Sequence, residues 1–386
     1  MKQRTLLLTL VALLGIMQAR AVVKINEENF PDGKFRIWLR TQSYGKDGVI
    51  TDAEIAGIKQ ITVSNKMISN LKGIEFFTAL TSLTCEENQL TSLDVSKNTA
   101  LKSLDCDRNK LTSLDVSKNT ALEYLSCGGN RLTSIDVSGC IVLSHLNLDC
   151  PAGNRLTSLD VTKNTALIYL ACKDNQLTSL DVSGCTALET LDCDNNQLTS
   201  LDLSGCMVLT DLWCYKNQLT SLDVSKNTAL TKLRCDSNQL TSLDVSKNTA
   251  LTGLLCDNNQ LTSLDVSGCT VLAELYCYNN QIKGSGMDAL VKSLPTGSNC
   301  RLVIISTDPN EGNEMTAEQV TTAKSKGWVV YCQNGWNQEE YNGPTGIEEL
   351  KNSKVEGLKY YDLSGRRVVN PTKGVYILNG KKVIVR

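Results

Sequence analysis

The chain has 386 residues, with 39 lysines and arginines against 41 acidic side chains and a formal net charge of −2. That balance gives no global basic field to draw in nucleic acid. A single histidine rules against histidine-based zinc sites, and aromatic residues at 5% against 41% hydrophobic require an aliphatic core. Sixteen cysteines are many, and their spacing decides whether they mean disulfides, metal or packing.

Lys2 and Arg4 precede a short apolar run, Leu6 to Met17, and Ala19-Arg20-Ala21 fits a small-x-small cleavage pattern. This predicts a secretory signal peptide over residues 1–21, with an apolar run too short to span a bilayer. No cysteine follows as a lipoprotein anchor requires, and no later segment approaches transmembrane length. Residues 22–79 read as an N-terminal cap and a degenerate first repeat. Phe35, Ile37, Trp38 and Leu39 supply the cap's apolar positions, and Ile68, Leu71 and Ile74 begin the repeat pattern. Asp47, Gly48, Ile50 and Glu54 match the later positions of a calcium loop. Ser43 and Gly45 hold its first and third ligand positions, which leaves too few oxygens and favours a structural turn.

Self-similarity dominates residues 80–282. One unit runs Leu101-x-x-Leu104-x-Cys106-x-x-Asn109-x-Leu111, then Thr-Ser-Leu114-Asp-Val116-Ser-Lys-Asn119. The asparagine recurs every 21 residues in ten units from Asn88 to Asn280, except for a 24-residue step from Asn130 to Asn154 that marks a three-residue insertion within 148–153. This is the leucine-rich repeat pattern. Each Leu-x-Cys is a short strand that cannot bury its apolar face alone, so units stack into a parallel solenoid. The expected fold is α/β-type: a parallel β-sheet on the concave face, an extended or 3₁₀ return side, and caps at both ends. A 21-residue period leaves no room for a full helix on the return side. At roughly 4.8 Å per strand, ten units span about 45 Å. The asparagine is expected to hydrogen-bond backbone groups at the turn after each strand.

The cysteines follow the same period. Cys85, Cys106, Cys127, Cys172, Cys193, Cys214, Cys235, Cys256 and Cys277 hold an inward strand position usually given to leucine, with Leu148 there in the inserted unit. With no C-x-x-C pair and apolar neighbours that penalise thiolates, packing outranks a metal or redox ladder. Cys140, Cys185, Cys206 and Cys269 form a second set, in Ser-Gly-Cys turns that replace Ser-Lys-Asn. Cys185 and Cys206 lie in adjacent units, where pairing and free thiols are both open. Cys150, Cys300 and Cys332 are left over.

The array resembles internalin J-like cysteine-ladder repeats, and more closely the secreted leucine-rich repeat proteins of Bacteroidota. That resemblance covers about 200 residues and implies the fold far more than the ligand.

Past Ile282 the period breaks. Met287–Leu294 and Thr316–Ser325 read as helices and Leu302–Ile305 and Trp328–Cys332 as strands, a C-terminal cap over 283–342. Residues 343–386 read as a linker and a small β-unit with Ser-Gly and Asn-Gly turns. Its Asp362-Leu-Ser-Gly-Arg-Arg367, Lys373-Gly-Val-Tyr376 and Lys381-Lys-Val383 elements resemble the C-terminal sorting domain of the type IX secretion system, which implies export to the outer surface. A further stabilising cap is the competing role.

The return half of each unit, Leu-Thr-Ser-Leu-Asp-Val-Ser, hardly changes, whereas the outward strand positions vary. Those positions carry scarce rings and long cations: Tyr124, Tyr169, Trp213, Tyr215, Lys232, Arg234, Tyr276 and Tyr278, the expected ligand-binding residues. Trp213 and Tyr215 flank inward Cys214, and Tyr276 and Tyr278 flank Cys277. With Lys232 and Arg234 between them, this suits a partner carrying sugars or an acidic, partly apolar surface. His145 stands without an evident nucleophile, paired carboxylates such as Asp192 and Asp194 lack a cleft, and no phosphate loop, dinucleotide fingerprint or metal cluster occurs. The expectation is a monomeric, non-enzymatic binding protein without cofactor or metal, secreted or held at a bacterial cell surface. Its partner is a protein or glycan of a host or microbial surface, and nucleic acid is excluded. The competing class is a structural surface or matrix component with no specific ligand.

Overall fold

The computed structural model describes residues 22–149, 155–344, 347–350, 360–368, 374–378 and 381–385. The expected signal peptide, Cys150, Asn154, the inserted 151–153 and parts of the sorting-like tail lie outside them. Contacts divide the chain into two compact units. One runs to Leu240 and includes Lys247–Leu251; the other holds Thr241–Ser246 and the chain from Thr252 onward.

The first unit opens with β1 (Val22–Lys24), antiparallel to β2 (Val49–Thr51). Helix α1 (Gly33–Thr41) starts at Asp32, whose Oδ1 accepts the N–H groups of Lys34 and Phe35 at 2.9 and 3.0 Å. Its Oδ2 accepts from the backbone N–H and hydroxyl of Ser69, both at 2.8 Å, tying the cap to the first repeat. Phe35 and Leu39, four residues apart, bury one face of α1. Ile37 does not join them and is 68% exposed, against the sequence expectation. Helix α2 (Asp52–Gly57) begins with a Thr51–Glu54 capping box, so the Glu54 carboxylate serves the helix start.

Nine three-residue strands then stack in parallel register: β3 (Gln60–Thr62), β4 (Ser82–Thr84), β5 (Ser103–Asp105), β6 (Tyr124–Ser126), β7 (His145–Asn147), β8 (Tyr169–Ala171), β9 (Thr190–Asp192), β10 (Asp211–Trp213) and β11 (Lys232–Arg234). Each buries its central Ile or Leu, from Ile61 to Leu233, and two residues later a buried Val63, Leu148 or cysteine. The insertion leaves the pairing undisturbed, since His145 still faces Tyr169. A 3₁₀ turn at Ile74–Phe76 starts the first return path, and among the described residues no α-helix interrupts the return side from there to β11. Parallel bridges join Asp160, Asp181 and Asp202 across three return paths.

The asparagine ladder binds neighbouring turns. Asn109 Nδ2 donates to the carbonyls of Cys85 and Cys106 at 3.0 Å and of Asp107 at 3.1 Å, and its Oδ1 accepts Leu90 N–H at 3.0 Å. Among the described turns, an amide used on both sides explains why asparagine is kept there. The residue before it is left-handed: Arg108 has φ 51°, Asn195 51° and Lys216 51°. That costs roughly 1 kcal/mol for a side chain with Cβ, a cost each asparagine offsets.

Both cysteine sets in this unit are buried, and Cys185 and Cys206 are free thiols. Cys185 and Cys206 are therefore not paired: each thiol turns back on the preceding turn, Cys185 toward the Val161 carbonyl at 3.7 Å and Cys206 toward that of Val182 at 3.4 Å. Burial pushes the thiols up, Cys206 to about 12, so they are protonated packing groups at neutral pH.

In the second unit β12 (Gly253–Leu255), β13 (Glu274–Tyr276), β14 (Cys300–Ser306) and β15 (Trp328–Asn334) are parallel, with α3 (Ser285–Ser293) and α4 (Ala317–Ser325) between the later strands. Thr316 and Gln319 form the α4 capping box. The expected helices and strands are present, the strands longer than expected. Strand β16 (Asn337–Glu340), which the sequence pattern does not announce, folds back antiparallel on β15 over Gly335-Trp336. A separate five-stranded sheet follows, from β17 (Ile347–Leu350), β18 (Tyr360–Tyr361), β19 (Arg367–Val368), β20 (Gly374–Leu378) and β21 (Lys381–Val385). Its order is β17-β21-β20-β18-β19, and only the β17–β21 pair is parallel. Among the described residues no helix is long and apolar enough to cross a membrane.

Candidate binding face

Alternation along each strand sends every second residue to solvent. Stacking in register turns these residues into three columns on the sheet face of the first unit. The first column holds Tyr124, His145 and Tyr169 on successive strands. Their rings form a row, with centroids 6.4 Å apart at 32° and then 6.1 Å apart at 19°. Tyr124 is exposed and Tyr169 half-buried. His145 is an addition to the residues expected from sequence. The signal was there, since 21 and then 24 residues separate the three rings, but the insertion disguises the second step. The Ser144 hydroxyl lies 2.9 Å from His145 Nδ1 and 2.9 Å from the Glu123 carbonyl. No carboxylate completes a triad among the described residues.

The second and third columns are rich in acids. Asp105 and Asp192 each accept the N–H two residues on, both at 3.2 Å. Third-column carboxylates reach across to the next turn: Asp107 accepts Gly128 N–H at 2.6 Å, Asp149 accepts Lys173 N–H at 3.0 Å, and Asp194 accepts Tyr215 N–H at 2.7 Å. These acids therefore hold the strand exits together; Asp105, Asp107 and Asp149 are half-buried, while Asp192 and Asp194 are buried. Burial, then the nearby Asp107 and Glu86 charges, raise Asp105 to about 6. Burial and the Asp192 charge raise Asp194 to about 8. Among the described residues no group of acidic, histidine and cysteine side chains is arranged to hold a metal ion.

The cations are mostly engaged. Lys173 Nζ lies 3.1 Å from Asp149 and 3.4 Å from Asp192. Burial alone would lower its pKa, and these two carboxylates reverse that. Arg234 Nε pairs with Asp236 at 3.0 Å while its guanidinium lies 3.8 Å from the Tyr215 ring centroid. Of the expected binding residues in this unit, Lys232 is exposed, and Trp213, Tyr215 and Arg234 are half-buried. Tyr276 and Tyr278 are half-buried in the second unit.

This repeating turn is matched by a leucine-rich repeat family model, in two copies, over residues 165–205. The solved functional domain of InlJ from Listeria monocytogenes, which includes a cysteine ladder, is 33% identical. The match covers 82% of this chain and 78% of that one, with a TM-score of 0.66. An internalin of Listeria monocytogenes, inlF, is 23% identical over 82% of this chain and 94% of that one, at a TM-score of 0.70. A leucine-rich repeat protein of Leptospira interrogans is 23% identical over 74% and 81%, at 0.55. No curated protein sequence matches the chain. The protein is a leucine-rich repeat protein. More narrowly, it belongs to the internalin-type family whose repeats carry a cysteine ladder.

Proposed function

We propose that the protein is a secreted, surface-attached binding protein without enzymatic activity, recognising a protein or glycan on a host or microbial surface through its sheet face. The observation that carries this reading is the distribution of variation. The return side repeats Thr-Ser-Leu-Asp almost unchanged, whereas the sheet face gathers Tyr124, Tyr169, Trp213, Tyr215, Lys232 and Arg234 on one open surface. Rings and arginines of this kind anchor interfaces. The sequence of residues 1–21 supports export, and the sorting-like tail supports delivery to the outer surface. Tyr276 and Tyr278 extend the proposal to the second unit.

The test is pull-down and glycan-array binding by the mature chain. Trp213→Ala with Tyr215→Ala is expected to weaken binding more than tenfold with the melting temperature nearly unchanged, while Thr220→Ala on the return side leaves affinity intact. Equal effects from the two faces would remove the sheet face as the site. No binding at all would favour a structural surface component.

A further inference from the structure

Resting on the sheet face as the binding site, the charge carried by that face names the partner. Across the three columns from β4 to β11 stand eight acidic residues and three cations; Asp192, Asp194 and Asp236 are buried and the other five acids are half-buried. The whole chain carries only −2, so negative charge is concentrated here. Two of the three cations are held by the face's own acids, Lys173 by Asp149 and Asp192, and Arg234 by Asp236. Only Lys232 remains exposed. The half-buried acids still outnumber what the face neutralises internally: Lys173 holds Asp149, whereas Glu86, Asp105, Asp107 and Asp211 stand in no ion pair among the described residues. Burial first, and neighbouring carboxylates second, raise Asp105 to about 6 and Asp194 to about 8, so Asp194 is largely protonated at neutral pH and the charge of the face rests on its half-buried acids.

The aromatic row points the same way. Sugars stack on open ring faces, but the faces of Tyr124, His145 and Tyr169 lie against one another at 6.1–6.4 Å. The Tyr215 face is covered by Arg234. The row thus presents its ring edges, an apolar rail along which the stems of lysine or arginine side chains can lie with their charged ends on the acids. We infer that the face from β4 to β11 takes a basic, lysine- and arginine-bearing segment of a partner protein. An acidic or glycan partner would meet four unpaired, half-buried acids and one uncommitted cation, a mismatch that disfavours encounter as well as binding.

The experiment uses the full mature chain and three probes: a 12-residue arginine–serine peptide, its glutamate–serine counterpart and a sulfated oligosaccharide. The basic peptide is expected to bind and to lose at least tenfold affinity between about 50 and 300 mM salt. Asp105→Asn with Asp211→Asn is expected to weaken it at least tenfold, since Asn keeps an acceptor oxygen but not the charge. Asp202→Asn with Asp223→Asn removes two carboxylates from the return side and is expected to change affinity less than twofold. Equal losses from both pairs would overturn the inference, because the peptide would then be reading bulk charge. Binding of the acidic peptide or the oligosaccharide in its place, abolished by Trp213→Ala with Tyr215→Ala, would also overturn it while keeping the face as the site. Binding indifferent to every face substitution would defeat the site itself.

Discussion

Two tripeptides alternate at the buried corner of the return side, and their pairing makes a sharp prediction. In Ser-Lys-Asn turns the Asn Nδ2 donates to two carbonyls of the preceding turn, as Asn119 does to Val95 and Asn98 at 3.0 and 2.9 Å. In Ser-Gly-Cys turns the thiol takes that place at longer range, Cys140 reaching Val116 and Asn119 at 3.9 and 3.7 Å. Neither choice dominates. The asparagine makes better bonds but leaves Oδ1 buried without a partner at Asn98, Asn119, Asn164, Asn227 and Asn248, at about 1–3 kcal/mol each. The cysteine makes weak bonds and strands nothing. Beside three of the four cysteines the neighbouring turn comes close, and this is where glycine enters. A Cβ on Gly205 would sit 2.1 Å from the Ser183 carbonyl oxygen, on Gly268 2.5 Å from that of Ser246, and on Gly184 2.8 Å from that of Thr162. Gly139 is the exception, 3.6 Å from the Ser117 oxygen. None of the four has a positive φ, so space decides. Gly205→Ala must then displace backbone by about an ångström and is expected to cost roughly 1–3 kcal/mol. Gly139→Ala meets no clash and restricts the unfolded chain, for a gain of about 0.4–1 kcal/mol. Gly205→Lys with Cys206→Asn restores the matched pair and is expected to recover at least half of what Gly205→Lys alone loses, a coupling that denaturant unfolding of the four variants measures. If Gly205→Ala and Gly139→Ala prove equal, or the double variant is no better than the single, the spacing argument is wrong.

Native thiol labelling should leave the strand cysteines nearly untouched and become fast in denaturant; rapid native labelling of most of them would contradict their burial. Within the ladder Cys172→Ser is expected to cost about 1–3 kcal/mol for a buried hydroxyl without a partner, and Cys106→Ser less, because the Ser126 carbonyl already lies 3.5 Å from that sulfur. Asp32→Ala removes a helix cap and the two bonds to Ser69, an expected loss of about 2–3 kcal/mol read by thermal melting. Burial alone would raise the Asp32 carboxyl, but the hydrogen bonds from Ser69, Phe35 and Lys34 prevail and hold it below the ordinary value. Its contribution is therefore present above the unfolded pKa and lost as pH falls through the lower folded one, so the gap between wild type and Asp32→Asn should narrow in acid.

The fold was legible because stacking demands the same inward residue at the same place in every turn. Leu104, Cys106 and Asn109 each do one job, and the repeat displays the leucine and the asparagine ten times and the cysteine nine. The β16 strand escaped because Asn337–Glu340 is polar at every position and shows no apolar alternation; it pairs through its backbone and through polar side chains such as Gln338, which donates to Gln333 at 2.8 Å. The outward positions were legible as a face but not as a charge state. Arg234 reads as a free anchor until Asp236, two residues on, is seen to hold its Nε while Tyr215 of the turn before lies under its guanidinium. The aromatic row required counting across an insertion that shifts sequence spacing and leaves strand register unchanged.

That engagement also explains how one surface serves two demands. A strand of three residues ends its ladder early, and the N–H groups just beyond it need acceptors. Asp107, Asp149 and Asp194 supply them across turns, so part of the acidity of the face follows from how short the strands are. The structural demand is for an acceptor oxygen and not for charge, because Asn147 does for Asp149 N–H at 3.0 Å what Asp192 does for Asp194. Where the face carries a half-buried aspartate in such a position, as at Asp105 and Asp107, the carboxylate meets the structural need and adds a charge the fold does not require. That surplus charge is what remains for a partner to read, and Asp→Asn substitution isolates it without touching the hydrogen bonds beneath.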